Sequence, residues 1–445
     1  MKIGFYVQAH EHIGVEILTA VLKQAGHSVE VFFDPKLCRD GTLFIDPLAS
    51  LLNVEDMVIE DVLEADLDML CFSVVTDNYA SSLRVARKIK EHSNIPTVFG
   101  GVHCSSVPER VVNRPEVDYL VVGEGEYPLT ELAEALANGQ TRPNIMNVWY
   151  QDAYGQTVSH PTRPTIPDLD VLPFLDRDPF LEKVPAFHRT RYSTAASRGC
   201  VYACTFCNNS MYKTMYNKAK KGRWKRRRSV DNFMEELRLA HAKYNFAHAF
   251  FQDEIFIDDR EWLEEFCDKY ARDIGKPFWC YGYAKFIDKG VVEMLEHANC
   301  KIINIGIQTV RESTKKKYLK RGERYDKIVD SIELFKHSNI RLTTGNILEC
   351  PGQTIDEAIE LAEFYNDNRV DLPIVGFLRY YPRTEIVDIA KQEGILEDAD
   401  IEDIEEARDE RPILVSDNKN GPLYRKASNL ILLTIVLPKS MVRWL

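Results

Sequence analysis

Short apolar runs alternating with amphipathic stretches restrict the fold of this chain more than any other feature. "KIGFYV" reads as a strand, "QAHEHIG" as a loop, "VEILTAVLKQAGHS" as a helix stopped at Gly26, and "VEVFF" as a second strand. The pattern continues through the strand "MLCFSVV", the helix "NYASSLRVARKIKEHS", the strand "PTVFGG", a loop "VHCSSVP", the helix "ERVVNR", the strand "DYLVVGEGE" and the helix "PLTELAEALANG". Strands joined through helices pair by crossovers, which predicts a parallel, doubly wound α/β sheet that binds ligands at its strand carboxyl ends. The candidate ligand loops are 8–14, 75–78, 100–106 and 123–126.

The alternation stops near residue 144 in Pro-rich text, "SHPTRPTIPDLDVLPFLDRDPF", which reads as a linker over 144–191. A second alternation follows: "YSTAASRGC", "HAFFQDEIF", "PFWCYGYA", "KIINIGIQT", "RLTTGNILECPG" and "DLPIVGFLRYY", with helices near 229–244, 259–274, 288–298, 325–338 and 354–368. Six such strands fit a partial or complete (β/α) barrel of TIM type, with its chemistry at the strand carboxyl ends. The expected organisation is a Rossmann-like, flavodoxin-like domain over 1–143, the linker, a (β/α)6 barrel over 192–385 and an α-rich extension over 386–445. A chain of 445 residues is long enough for this division.

A formal charge of −12 argues against general nucleic-acid binding, which needs a basic footprint. One stretch differs: "KTMYNKAKKGRWKRRR", 213–228, carries nine Lys or Arg and no acid, suiting either an anionic partner or arginines used internally. The apolar run "NLILLTIVL" is about half the ~20 residues of a membrane span, so core packing is expected rather than membrane insertion. No opening run has the basic, apolar and small-residue order of a secretory signal, so a cytoplasmic protein is expected.

Ten cysteines in such a chain do not form a disulfide framework, and three of them, Cys200, Cys204 and Cys207, crowd into "CVYACTFC". Zinc sites draw four ligands, commonly from two separated C-x2-C hooks, and no second hook is present. Three thiolates on a [4Fe-4S] cube would leave one iron open to a substrate or cofactor. On spacing alone the iron-sulfur cube, a zinc site and a structural coincidence all stand.

With its position after the first barrel strand, this loop resembles that of the radical S-adenosylmethionine superfamily, in the branch with an N-terminal cobalamin-binding domain; the resemblance spans roughly residues 1–390. It implies that the three cysteines hold a [4Fe-4S] cluster and that S-adenosylmethionine chelates the open iron and is cleaved to a 5'-deoxyadenosyl radical. Phe206 matches the family's adenine neighbour. "FFQDEIF" matches the segment that meets the methionine amino group, through Asp253 or Glu254. "NIGIQT" is similar to the ribose segment, with Gln308 and Thr309 where the family commonly has Glu or Asp followed by Ser. "ECPGQT" matches the turn that shapes backbone near the adenine, through Pro351 and Gly352. "RWKRRRS" resembles the stretch that follows the cluster loop in this branch, which implies an internal role for at least one arginine.

"TVFGGVHCSSVPERVV" and "VDYLVVGEGEYPLTELAEAL" are similar to the later half of the branch's cobalamin domain. The resemblance implies cobalamin contacts from Ser73, Thr76, Gly100, Gly101, Ser105, Gly123, Glu124 and Gly125. The D-x-H-x-x-G cobalt-ligand signature is not met by "QAHEHIG"; His10, His12 and His103 are only loop residues near the expected corrin. Substrate, a small molecule or peptide, is expected near Tyr281, Tyr283, Arg379 and Tyr380, and no catalytic side chain is assigned. Implied activities are methylation of an unactivated carbon, or ring closure, rearrangement or oxidation without methyl transfer; a sensor or assembly protein without turnover is the other class. An external reductant such as flavodoxin or ferredoxin is implied for turnover.

Overall fold

A computed structural model describes residues 1–37, 46–181, 183–184, 190–218, 222–408 and 421–444. Ala219, Lys220 and Lys221 of the basic run, part of the linker and part of the C-terminal extension lie outside the described residues.

The first sheet contains β1 (Lys2–Gln8), β2 (Ser28–Asp34), β3 (Met69–Ser73), β4 (Thr97–Gly100), β5 (Tyr119–Val121), β6 (Val148–Gln151) and β7 (Thr157–Val158) in the order β2-β1-β3-β4-β5-β6-β7. The first five strands are parallel and the last two antiparallel, so this sheet continues past residue 143 into the Pro-rich text. The 2-1-3-4-5 order is flavodoxin-like, with its switch point between β1 and β3. Gly26, at φ 88°, ends the helix Ile13–Gln24 where the pattern placed the stop. The expected loop "VHCSSVP" instead holds a short helix, Val102–Ser106, whose Ser105 and Ser106 hydroxyls donate to Gly101 O and Val102 O. Helices Asp46–Leu51 and Glu55–Glu64 carry the chain from β2 across β1 to β3.

The second sheet is formed by β8 (Arg191–Thr194), β11 (His248–Phe251), β12 (Phe278–Gly282), β13 (Cys300–Gln308), β14 (Arg341–Leu348) and β15 (Leu372–Phe377), all parallel and in sequential order. Strands β9 (Ser197–Arg198) and β10 (Arg226–Arg227) form a small antiparallel pair beside it. Because β8 and β15 do not pair, the barrel is open. Four of its crossover helices begin on a side-chain cap that accepts the backbone N–H three residues on: Ser229, Asp259, Asp288 and Thr354. These caps explain why the sequence pattern places the helices to within a residue or two. Helices Glu385–Gln392, Asp398–Glu405, Gly421–Leu433 and Lys439–Trp444 form the extension. Ile431 and Thr434 bury one face of "NLILLTIVL" while Leu432, Ile435 and Val436 stay exposed. No helix among the described residues is long and apolar enough to cross a membrane.

Ion pairs join the two sheets. Glu124, after β5, accepts two hydrogen bonds from Arg226 (2.7 and 3.0 Å) and one from Arg198 (3.2 Å), and Arg198 also pairs with Glu126. Arg177 of the linker is fully buried between Glu11 and Glu16, with its guanidinium over Tyr192 and Tyr244. Arg110 and Arg383 bind Glu405 of the extension from the first domain and the barrel respectively. The basic run is therefore internal at its end: Arg227 binds Asp258 and covers Trp262, and Arg228 binds Glu236.

Replacing Glu124 by Gln should cost about 3 kcal/mol, because Arg226, with only 4% of its side chain exposed, would keep a buried charge without its counter-charge. Chemical denaturation of the variant checks this. Burial works against ionisation of Glu124, but Arg226 and Arg198 outweigh it and hold its pKa below the ordinary 4.5. Its stabilising contribution should therefore be complete above the unfolded value near 4.5 and fall as pH drops through the lower folded value, a loss absent in the Gln variant.

Candidate functional site

The cysteine loop leaves β9 at Gly199, whose φ of 77° and approach to Trp224 O (2.5 Å from an added Cβ) exclude a side chain. Thr205 fixes the middle of the loop: its N–H and hydroxyl donate to Leu319 O and Tyr318 O, and its carbonyl accepts from Ile386 N. Asp253, 1% exposed, fixes the approach to it by accepting from Ala196 N (3.0 Å) and the Ser197 hydroxyl. Asp253 is thus spent inside the protein. Its neighbour Glu254 is open to the cleft and near Cys200, Cys207 and Tyr281; surrounding protein and the Asp253 charge hold its carboxyl above the ordinary range.

Each cysteine of the trio faces one N–H donor: Tyr202 N at 3.4 Å from Cys200 Sγ, Arg321 Nη1 at 3.8 Å from Cys204 Sγ, and Asn209 Nδ2 at 3.7 Å from Cys207 Sγ. Burial raises all three thiols, Cys207 to about 12. Among the described residues no three Cys, His, Asp or Glu side chains converge where a single ion could be held. That disfavours mononuclear zinc, whose ligands must all lie about 2.3 Å from one point. A cube spreads its thiolates over several irons, and the trio with no fourth protein ligand fits it.

Around this loop the barrel's strand ends bring the other expected residues together. Phe206 packs in the apolar cluster that contains Tyr318, Cys350 and Tyr380. Pro351 is buried beside it, and Gly352, at φ 69°, is required by the Tyr318 hydroxyl as well as by its backbone. Gln308, at φ 65°, folds back over Gly306. A Cβ on Gly345 would meet nothing closer than 3.8 Å, so packing does not demand this glycine and the space above it is free for a ligand.

Below that point the lumen is lined by the inward alternates of the strands. Phe250, Trp279 and Tyr281 form an aromatic wall with centroids 5.6–5.8 Å apart, and Leu372 and Ile374 remain exposed. In a filled barrel these side chains would be packed away. Tyr281 is thus accessible, whereas Tyr283 is 4% exposed, stacked on Tyr202 and donating its hydroxyl to Glu323. Tyr380 is packed against the barrel, and Arg379 binds Asp77 of the first domain at 2.8 Å. Arg321 and Asn209 beside the thiols escaped the sequence reading, because no local pattern brings residue 321 to residue 204.

At the carboxyl ends of β1, β3, β4 and β5 lies a cavity of about 340 Å³. Ser73, Gly100, Gly101, Gly123, Glu124 and Gly125 line it as expected, joined by Ile17 and Leu18 of the first helix and Leu169 and Leu172 of the linker. The linker is therefore a wall of the site. Thr76 and Ser105 do not line it; Thr76 bonds His103, and Ser105 bonds Gly101 O and Gly123 N. Glu124 lines the cavity while its carboxylate is held by arginines, Gly101 is demanded by Val74 backbone, and Gly123 by the Tyr216 hydroxyl. His103 is fully buried and not a loop residue, and among the described residues no histidine lines the cavity. A largely apolar cavity open at the strand ends fits the planar base of a cobalamin tail better than an imidazole-ligated cobalt.

Replacing Asp253 by Asn would set an amide where two donors now point. It should cost about 2 kcal/mol in unfolding free energy. Glu254→Gln should change stability by less than about 0.5 kcal/mol, since Glu254 is accessible; thermal unfolding of both proteins checks the contrast.

A model of the radical SAM superfamily matches residues 195–365, and one of the B12 binding domain matches residues 6–133. An uncharacterized methyltransferase of Pyrococcus horikoshii is 24% identical over 356 residues, covering 79% of this chain and 75% of its own length. An anaerobic magnesium-protoporphyrin IX monomethyl ester cyclase of Rubrivivax gelatinosus is 26% identical over 242 residues, covering 52% of this chain and 42% of its own. In fold, the chain is similar to the radical S-adenosylmethionine methyltransferase TsrM of Kitasatospora setae, solved with tryptophan substrate and an S-adenosylmethionine analogue: TM-score 0.69, 17% identity, 88% of this chain and 76% of that one.

Proposed function

Since the chain belongs to the radical S-adenosylmethionine superfamily, in the branch that carries a cobalamin-binding domain, we propose that it methylates an unactivated carbon of a substrate held in the barrel lumen. The observation that carries this is the cysteine trio: three thiols, each with an N–H donor and, among the described residues, no fourth protein ligand, on the loop that follows the first barrel strands. When bound, the [4Fe-4S] cluster with S-adenosylmethionine supplies a hydrogen-abstracting radical, and cobalamin supplies the methyl group.

The protein's part is to hold and orient. Cys200, Cys204 and Cys207 ligate the cluster. Glu254, exposed where Asp253 is buried, would accept from the methionine ammonium. Phe206, Pro351 and Gly352 flank the adenine, and Gln308 reaches the ribose. Ser73, Gly100 and Gly125 border the cobalamin tail. The Asp77–Arg379 pair adds a contact between the first domain and the barrel, which would help hold a methyl donor and a substrate near each other. The wall of half-buried Phe250 and exposed Trp279, Tyr281, Leu372 and Ile374 suits a substrate with a large apolar or aromatic body. Electrons come from an external one-electron donor of the flavodoxin or ferredoxin class.

Anaerobically reconstituted protein reduced with dithionite should convert S-adenosylmethionine to 5'-deoxyadenosine. Alanine at Cys200, Cys204 or Cys207 should abolish both this product and the brown cluster absorbance. Gly100→Leu fits the backbone, whose nearest neighbours stand 3.6 Å from an added Cβ, yet fills the cavity; it should fold normally and lose cobalamin binding, read by the absorbance retained on a desalting column.

Similarity to a cyclase favours ring closure as the second reading. S-adenosylhomocysteine formed with substrate supports methylation, and turnover without it supports the second reading.

A further inference from the structure

Beyond this reading, but resting on its cluster, we propose that the buried pair Arg321–Glu323 sets the reduction potential of the cluster through Cys204. The pair follows a π-helical turn, Lys315–Leu319, that ends at Lys320 with φ 49°, and this reversal sends the next side chain inward. Arg321 is 7% exposed and spends its guanidinium in three directions. Nε donates to Glu323 Oε1 (2.7 Å), Nη2 to Gly306 O (2.6 Å) and Nη1 to Cys204 Sγ (3.8 Å). The plane lies 4.7 Å over the Tyr283 ring, whose hydroxyl donates to the other oxygen of Glu323. Lys315 Nζ closes the turn on Glu323 O at 2.9 Å.

Of the three side-chain or backbone donors to the cysteine sulfurs among the described residues, Tyr202 N and Asn209 Nδ2 are neutral and Arg321 is charged; Lys225 acts on Cys200 through its charge without donating to a sulfur. One-electron reduction adds a negative charge to the cluster, and a fixed cation with a hydrogen bond to a ligand sulfur favours the reduced state. Guanidinium stays charged at any working pH, and its fork reaches all three acceptors at once, which an ammonium cannot. Glu323 orients the fork and partly offsets its field from farther away. The two residues therefore act on the cluster with opposite signs, while a purely structural role would give both variants the same one. Arg321 and Glu323 are positioning residues, and the electron itself comes from the external donor.

The test is a redox titration of the reconstituted full chain without S-adenosylmethionine, followed by the paramagnetic signal of the reduced cluster, with iron and sulfide counted beforehand. Arg321→Met should lower the reduced-to-oxidised ratio at the wild-type midpoint about tenfold, which is ~59 mV for one electron. Arg321→Lys should recover most of that loss, and Glu323→Gln should raise the ratio. Shifts of the same sign in Arg321→Met and Glu323→Gln, or none in either with iron retained, overturn the proposal. Where Arg321→Met loses its iron, Glu323→Gln decides alone: an unshifted or lowered potential overturns it. A wild-type chain that takes up no iron and sulfide instead overturns the cluster reading on which this rests.

Discussion

Glu124 held between Arg226 and Arg198 is the contact on which the arrangement of this protein depends. The carboxylate sits at the carboxyl end of β5, and both arginines belong to the small β9–β10 pair from which the cysteine loop departs. One interaction thus fixes two things: where the first domain stands relative to the barrel, and where the cysteine loop begins. Arg226 is too buried to be solvated in another orientation, so the pair tolerates few alternatives. Such a pair adds less to stability than to uniqueness, because desolvation offsets most of its Coulomb energy.

Around that clasp, residues with the chemistry to touch ligands are divided between ligand and scaffold by small differences in direction. Asp253 and Glu254 are consecutive, in the irregular segment just past the end of β11 at Phe251, where one side chain is buried and the other exposed. The first ties Ala196 and Ser197 in place; the second is left facing the cleft. Gly345 and Gly352 divide similarly, since Gly352 is demanded by Tyr318 while nothing in the packing demands Gly345. Tyr281 and Tyr283 are two residues apart, but the second lies beyond the end of β12 at Gly282 and turns into the Arg321–Glu323 pair. The open barrel leaves the Trp279, Tyr281, Leu372 and Ile374 side chains exposed, which a closed, filled barrel would pack away.

Local pattern was sufficient for most of the elements, though not for β6 and β7, the two helices between β2 and β3, or the helix Val102–Ser106. Alternating runs, Gly26 as a stop and Ser229, Asp259, Asp288 and Thr354 as caps determined the two α/β units, because periodicity and capping act over three to five residues. The spacing of Cys200, Cys204 and Cys207 likewise singled out three neighbouring thiols, while leaving open on its own what they hold. Tertiary structure alone decided which residues reach that site. Arg321 comes to Cys204 from 117 positions away, Glu124 to Arg226 from 102, and the Pro-rich linker became a cavity wall. It also decided that Asp253, Thr76, Ser105 and His103 serve the scaffold, since whether a polar side chain is satisfied internally depends on partners brought near only when the sheets pack.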